Sequence, residues 1–338
     1  MYLVPVFSLI IIITLFLTKN TFHFILGNPT QEIRKIHSRP IIKIGGLSLL
    51  SISIYLFLTN DLLIINSIFF ALIFFTIGLI ADLRKNFNSK LRFFLMIAAI
   101  LIFILVNDFK IYDLNHEFLN KIFLFSGVST TLFIVFALMF ITNGLNFIDG
   151  NNGLMLGITS LILINFNFHS YEYNSDINNY INCILLAVIT LFIINFLTGK
   201  IICGDNGAYF LGFLIGTLSI ILSNENIIYS TKIACIVFYP VFELFFTFWR
   251  RIFFEKKSPF EPDDLHLHSL VYKLLKNKFD TASNLNTINS LTSLMIITPL
   301  IFLSMTLFYY GEIIGFLNFF FIQTFLYILI YIHLYRYR

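Results

Sequence analysis

The side chains most able to do chemistry in this chain fall in five short clusters. In Gly204-Asp205-Asn206-Gly207-Ala208 one carboxylate sits between glycines where an apolar run begins. Helix N-termini favour anions and offer free N–H groups to phosphate, although an Asp there can also be a simple cap. Asn143-Gly144-Leu145-Asn146-Phe147-Ile148-Asp149-Gly150-Asn151-Asn152-Gly153-Leu154 interrupts two apolar runs. Its Asn146 and Asp149 are three apart, so on a helix they share a face. Asp82 closes another apolar run, and Lys90 and Arg92 follow with positive charge suited to phosphate oxygens. Trp249-Arg250-Arg251 leads through Lys256-Lys257-Ser258-Pro259 to Asp263-Asp264-Leu265-His266-Leu267-His268. Two histidines two apart share one side of an extended segment, or lie about 200° apart on a helix. A two-His zinc pair wants a spacing of four on a helix, so zinc is not indicated. The fifth cluster is Arg34-Lys35-Ile36-His37-Ser38-Arg39-Pro40, followed by the pair Gly45-Gly46, which permits close backbone approach. Carboxylates hold a hard cation such as Mg²⁺ together with substrate phosphates, and Arg and Lys hold phosphate. The combined equipment is that of phosphoryl transfer on an anionic substrate.

Each cluster alone has a plainer reading as a turn, a cap or a solvated loop. What argues for a common site is where the elements put them. The 338 residues are 58% hydrophobic and only 12% charged, against about one quarter charged in soluble domains. The bilayer is the natural solvent for such a chain, so the expected class is an all-α, polytopic membrane protein. Apolar runs fall near 1–18, 44–59, 62–81, 93–106, 122–142, 153–168, 178–198, 207–223, 227–247, 287–308 and 313–334, about eleven spans in all. The first run lacks the basic leader of a cleaved signal and reads as a retained span. Segments after odd-numbered spans hold 19 of the Lys and Arg residues and the other side only Lys110, Lys121 and Lys232. The positive-inside rule then places the N-terminus outside and the C-terminus in the cytoplasm. All five polar clusters fall on that cytoplasmic side. The chain reads as a single membrane domain over 1–338 with one long cytoplasmic loop at 248–286. Cys183, Cys203 and Cys235 lie in or beside apolar runs without paired spacing, so no disulfide framework is expected.

With these residues assembled, the chain resembles the bacterial polyprenyl-phosphate N-acetylhexosamine-1-phosphate transferases, the glycosyltransferase family 4 type. The resemblance runs from about residue 28 to 272. It rests on the Arg34 to Gly46 cluster, on N-x-x-N-x-x-D-G-x-N-G-L from Asn143, on G-D-x-G-A-Y-x-L-G from Gly204, and on S-P-F-x-P-D-x-x-H-L-H from Ser258, in that order. It implies transfer of a sugar-1-phosphate from a UDP-N-acetylhexosamine to undecaprenyl phosphate with release of UMP, starting a lipid-linked O-antigen, capsule or cell-wall glycan. It further implies Mg²⁺, with Mn²⁺ as a substitute ion, on Asp205 and Asn146. Asp82, Asp149, His266 and His268 would be the catalytic groups. Lys90 would hold pyrophosphate, Asn152 would read uracil, and Arg250, Arg251 and His37 would complete substrate binding. The expected setting is the bacterial inner membrane with the site facing the cytoplasm, the lipid bilayer as partner, no nucleic acid, and a homodimer as an allowed assembly.

The sequence departs from the family pattern at two positions. Ala81 stands where the family usually has the first of two adjacent carboxylates, and Ser269 stands where many relatives carry a third histidine. The first of the carboxylate pair has been assigned as a base toward the lipid phosphate. That phosphate, by analogy with phosphoserine, has a second pKa near 6 and is largely dianionic at neutral pH, so the loss at Ala81 is survivable. Two competing readings remain at this level: a membrane transporter of anionic solutes, and a catalytically impaired relative. A transporter should carry polar residues near the bilayer midplane, yet apart from Glu243 near one span's end the spans are almost free of charge.

Overall fold

Without water, every backbone N–H and C=O in an apolar run must bond inside its own segment, so these runs become helices. The computed structural model describes residues 3–18, 26–27, 41–84, 86–171, 175–258, 263–279 and 285–336. The element order is α1 (Leu3–Thr18), β1 (Leu26–Gly27), β2 (Ile41–Ile42), a 3-10 helix (Gly45–Phe57), α2 (Leu62–Leu83), α3 (Ser89–Asn107), α4 (Glu117–Phe123), α5 (Gly127–Ile148) and α6 (Leu154–Ser170). There follow α7 (Ser175–Thr198), α8 (Gly204–Asn224), α9 (Ser230–Ile236), α10 (Phe238–Trp249) with a π-helical end (Arg250–Glu255), α11 (Leu267–Phe279), α12 (Leu285–Ile314) and α13 (Phe316–Tyr335). The two short strands pair antiparallel, Leu26 opposite Ile42, and leave the class all-α.

Seven of these helices are long and apolar enough to cross a membrane: α2, α3, α5, α7, α8, α12 and α13. The pair α9–α10, bent by 75°, makes an eighth if it is one span. The chain is therefore a multi-pass membrane protein of seven or eight candidate spans. Three further expected runs form the shorter apolar helices α1, the 3-10 helix and α6. The run expected at 93–106 is longer than its apolar core, because Asn88 caps the helix through Lys90 N at 2.8 Å and winds it from Ser89. The run expected at 44–59 winds as a 3-10 helix of 13 residues. At about 2.0 Å rise per residue it reaches roughly 26 Å, further than an α-helix of equal length. Ser48 and Ser51 on its buried face bond to Ser8 of α1, with Ser8 Oγ 2.6 Å from Ser51 Oγ and 3.1 Å from Ser48 O.

Helix α8 is the axis of the fold. Of its most apolar stretch 94% is buried, against 22% for α3 and α13, so protein surrounds it. Helices α2 and α5 pack along it, and the 3-10 helix closes over its start. Backbone bonds lace that start in place: Ile42 N to Lys200 O at 2.9 Å, Gly45 N to Ile202 O at 2.9 Å and Gly46 N to Cys203 O at 2.8 Å. The crossing of α2 and α8 is closest at Gly78, where a Cβ would lie 2.4 Å from Asp205 O and 2.5 Å from Asp205 C. Both contacts are backbone and cannot yield as a side chain would. Gly78→Ala should therefore cost about 1–3 kcal/mol, the usual penalty of overpacking. Gly127→Ala, at a position with nothing within 4 Å, should be near neutral. Thermal unfolding of both purified variants checks the pair, and equal midpoints would show that α2 is free to move off α8.

Candidate active site

The first turn of α8 presents backbone N–H groups with no partner of their own, and its preceding residue, Cys203, supplies no side-chain cap. Carboxylates from two other helices take that role. Asp149, at the end of α5, accepts from Gly204 N at 2.7 Å through Oδ2. Asp82, in the last turn of α2, accepts from Asp205 N at 3.2 Å, from Asn206 N at 2.9 Å and from Asn206 Nδ2 at 2.6 Å. Gly204 itself has φ +79°, a left-handed turn that glycine takes without strain. Sequence separations of 55 and more than 120 residues thus collapse onto one helix turn.

Asp205 is the third carboxylate of the group. Its Oδ2 receives Arg92 Nη1 at 2.5 Å and Tyr209 Oη at 3.4 Å. Tyr209 also accepts from Asn146 Nδ2 at 3.2 Å, so Asp205 and Asn146 are linked through one phenol. The Arg92 guanidinium lies 5.6 Å from the Tyr209 ring centre, within cation–π range. Arg92 thus stands as a cation on the group through Asp205. Burial pushes the Asp149 carboxyl up from the usual carboxylate range to about 7; the Gly204 N–H pulls it down, while Asp82 and Asp205 add to the rise. A divalent cation would offset the negative charge of such a group. All the donors are hard oxygens, which suits Mg²⁺ rather than zinc. Among the described residues no three His, Cys, Asp or Glu side chains form a cage that could hold an ion. Mg²⁺ commonly takes one or two carboxylates and completes its shell with water and substrate phosphates, so the residues fit it.

The histidine loop closes on the same end. His266 and His268 stack in parallel, ring centres 5.3 Å apart and planes within 4°. A Cβ on Gly150 would lie 3.4 Å from His268 Nε2, which puts His268 beside the turn after Asp149. Phe147 meets the His266 ring edge-on at 5.3 Å. Arg250 pairs with Asp263 and with Glu255, and Arg251 Nε donates to Ser258 O at 2.8 Å. Both arginines are buried, so here they fasten the loop.

The structure therefore gathers Asp82, Asn146, Asp149, Asp205, His266 and His268 at one end of the helices. Two of the expected substrate-binding residues stand apart from the carboxylates. The basic side chain on the carboxylates is Arg92, while Lys90 is exposed on the first turn of α3. The physical reason is angular: residues two apart on a helix point about 200° apart, so Lys90 and Arg92 cannot face one site together. Asn152 is fully buried with its amide committed to α12, donating to Asn286 Oδ1 at 3.1 Å and accepting from Asn289 Nδ2 at 3.2 Å. It ties the loop after Asp149 to α12. His37 lies outside the described residues. Glu243, passed over as a lone carboxylate in the sequence, is 3.2 Å from His266 Nδ1. The signal was there: a carboxylate within an apolar span is costly and marks a partnered or functional group.

Asp82→Asn tests whether the carboxylate cap holds the helices. It keeps the shape but turns one acceptor oxygen into a donor facing N–H groups. The expected loss is about 1–3 kcal/mol for leaving donors unsatisfied, read as a lowered midpoint of thermal unfolding. An unchanged midpoint would mean that the cap contributes nothing.

A family model described as Glycosyl transferase family 4 matches residues 64–223, the stretch that carries Asp82, Arg92, Asn146, Asp149 and Asp205. The chain is 26% identical over 247 residues to a probable undecaprenyl-phosphate N-acetylglucosaminyl 1-phosphate transferase of Bacillus subtilis (strain 168), covering 70% of this chain and 66% of that protein. It is 24% identical over 262 residues to an undecaprenyl-phosphate alpha-N-acetylglucosaminyl 1-phosphate transferase of Thermotoga maritima, covering 78% and 77%. A phospho-N-acetylmuramoyl-pentapeptide-transferase of Staphylococcus carnosus is 29% identical over 174 residues, covering 48% and 54%. The chain thus spans between about half and three quarters of the length of these relatives. The matched segment supplies the helices that meet at the start of α8, and over it the chain is similar to the glycosyl transferase family 4 proteins, with distant similarity to the undecaprenyl-phosphate N-acetylglucosaminyl 1-phosphate transferases and the phospho-N-acetylmuramoyl-pentapeptide-transferases.

Proposed function

We propose that the chain transfers a sugar-1-phosphate of the N-acetylhexosamine type from a UDP-sugar to undecaprenyl phosphate, releasing UMP. The observation that carries this reading is the meeting of Asp82, Asp149, Asp205 and Arg92 at the first turn of α8. In the reaction a lipid phosphate oxygen attacks the β-phosphorus of the nucleotide sugar. The bond from that phosphorus to the bridging oxygen breaks, and the electron pair leaves with UMP.

Asp205 and Asn146 would hold Mg²⁺, which when bound neutralises pyrophosphate charge. Arg92, already on Asp205, is the near group for a phosphate oxygen. Lys90, exposed one helix face away, would meet phosphate only from the solvent side. Asp82 and Asp149 keep the first turn of α8 fixed, so that Asp205 stays oriented. His268 borders the turn after Asp149 and is the histidine nearest the reacting groups, while Arg250 and Arg251 brace its loop. The lipid would enter sideways from the bilayer and the nucleotide sugar from the cytoplasm. The 19-to-3 split of Lys and Arg supports that orientation, with the N-terminus outside. The ends of α2 and α5 and the starts of α3 and α8 lie together, so their polar groups share one side, whichever side that is.

The test is to incubate the purified protein with undecaprenyl phosphate and a panel of labelled UDP-N-acetylhexosamines. One sugar should give UMP and a lipid-linked product in equal amounts, and EDTA should stop both. Uptake without UMP release would favour the transporter reading, and neither outcome would favour an inactive relative. In the same assay Arg92→Ala should lose at least about tenfold more activity than Lys90→Ala, since charge-assisted bonds contribute roughly 1.5–3 kcal/mol. Ala81→Asp should shift the acid limb of the pH–rate profile if a carboxylate there can assist the lipid phosphate. An unmoved profile would mean that the dianionic phosphate needs no base.

A further inference from the structure

We propose that Glu243 is a positioning residue: its carboxylate fixes the His266 ring and, through the stacked pair, holds His268 beside the Asp149–Gly150 turn. The proposal rests on the transferase reading and adds to it a group outside the carboxylate cluster. Glu243 is fully buried in the apolar helix α10. A carboxylate there must be fully partnered or it is strongly destabilising. Its Oε1 accepts from Leu267 N at 3.1 Å and lies 3.2 Å from His266 Nδ1, and its Oε2 accepts from Tyr327 Oη at 2.7 Å. One oxygen therefore meets both the His266 ring and the next backbone N–H, which ties the ring to the start of α11.

Glu243 Oε1 already accepts from Leu267 N, and the ring nitrogen that faces the same oxygen is Nδ1, with the Thr247 hydroxyl 3.3 Å from it, so we assign Nδ1 as the donor to the carboxylate. The bond made at one ring nitrogen orients the other, Nε2. That atom is buried and makes no hydrogen bond among the described residues; Asp263 Oδ2 is 3.8 Å away, too far for one. His266 is thus the inner ring of the stack, and His268 is the ring that reaches Gly150. The last helix buttresses the arrangement. Tyr331, one turn after Tyr327 on α13, donates to Leu265 O at 3.1 Å. The two histidines of one motif accordingly have different tasks: His266 orients and His268 faces the site.

The test compares wild type with Glu243→Gln, His266→Gln and the double variant, reading UMP release and thermal unfolding. Gln can keep an acceptor toward Leu267 and reverse its bond with Tyr327, so Glu243→Gln should melt close to wild type. Its kcat/KM should fall about 10–100-fold, the usual loss when a carboxylate behind a functional imidazole is removed. The double variant should be no worse than His266→Gln alone, because the two groups act as one. Additive losses, or a fully active Glu243→Gln, would overturn the proposal. A wild type that releases no UMP would sink the transferase reading by itself. The positioning role is then read from ¹⁵N-histidine spectra, with the His266 signal assigned by its loss in His266→Gln. Protonation at Nδ1 is expected, and protonation at Nε2 alone would overturn it.

Discussion

Three consecutive N–H groups at the start of a buried helix need acceptors, and no residue of that helix's own approach supplies one. Asp149 and Asp82 fill the need from α5 and α2, on Gly204, Asp205 and Asn206. The helix macrodipole favours negative charge at this end, and the surrounding protein keeps water from competing. Much of the remaining arrangement follows. If α8 is to be capped from both flanks, α2 and α5 must end at the same level, and Gly78 must let α2 come within backbone distance. The caps that stabilise the fold are then also the walls of the site.

Collecting carboxylates in this way creates an electrostatic problem. The Asp205 carboxylate meets Arg92 as its counter-charge and the Tyr209 hydroxyl. An excess of hard oxygen donors beside one guanidinium is a setting in which a divalent cation and phosphate groups compensate each other. The histidine loop solves a related problem at the periphery. There Arg250, Arg251 and Asp263 are buried and paired with one another, while Glu243 of α10 meets His266. Those charges fasten His266 and His268 against the end of α5, instead of being spread over a solvated face.

Much of this was legible in the chain. The apolar runs gave the helices, and the side-by-side alternation of basic segments put Asp82, Asn146, Asp149, Asp205, His266 and His268 at one membrane face before any coordinates. The spacing of Asn146 and Asp149 predicted a shared helix face, and the structure puts Asn146 in the last turn of α5 and Asp149 just past it. Other features were hidden for physical reasons. A basic pair such as Lys90 and Arg92 reads as one patch in sequence, but helical geometry sends the two side chains to opposite faces. Asn152 sits in a polar motif, yet its amide is drawn to Asn286 and Asn289 of α12, more than 130 residues away. Glu243 looked like a stray charge because its partners, His266 and Tyr327, are likewise distant in the chain. The winding of Gly45–Phe57 as a 3-10 helix depends on its packing against α1 and α8, which no periodicity of its own announces.

The central claim is that the carboxylates around the first turn of α8 form a divalent-cation site, with Asp205 as its principal ligand. The most direct measurement is Mn²⁺ binding followed by electron paramagnetic resonance, with UDP-N-acetylhexosamine present, in wild type, Asp205→Asn and Lys90→Ala. The account predicts one bound Mn²⁺ per chain in wild type and in Lys90→Ala, and its loss in Asp205→Asn. Undiminished binding in Asp205→Asn would contradict it.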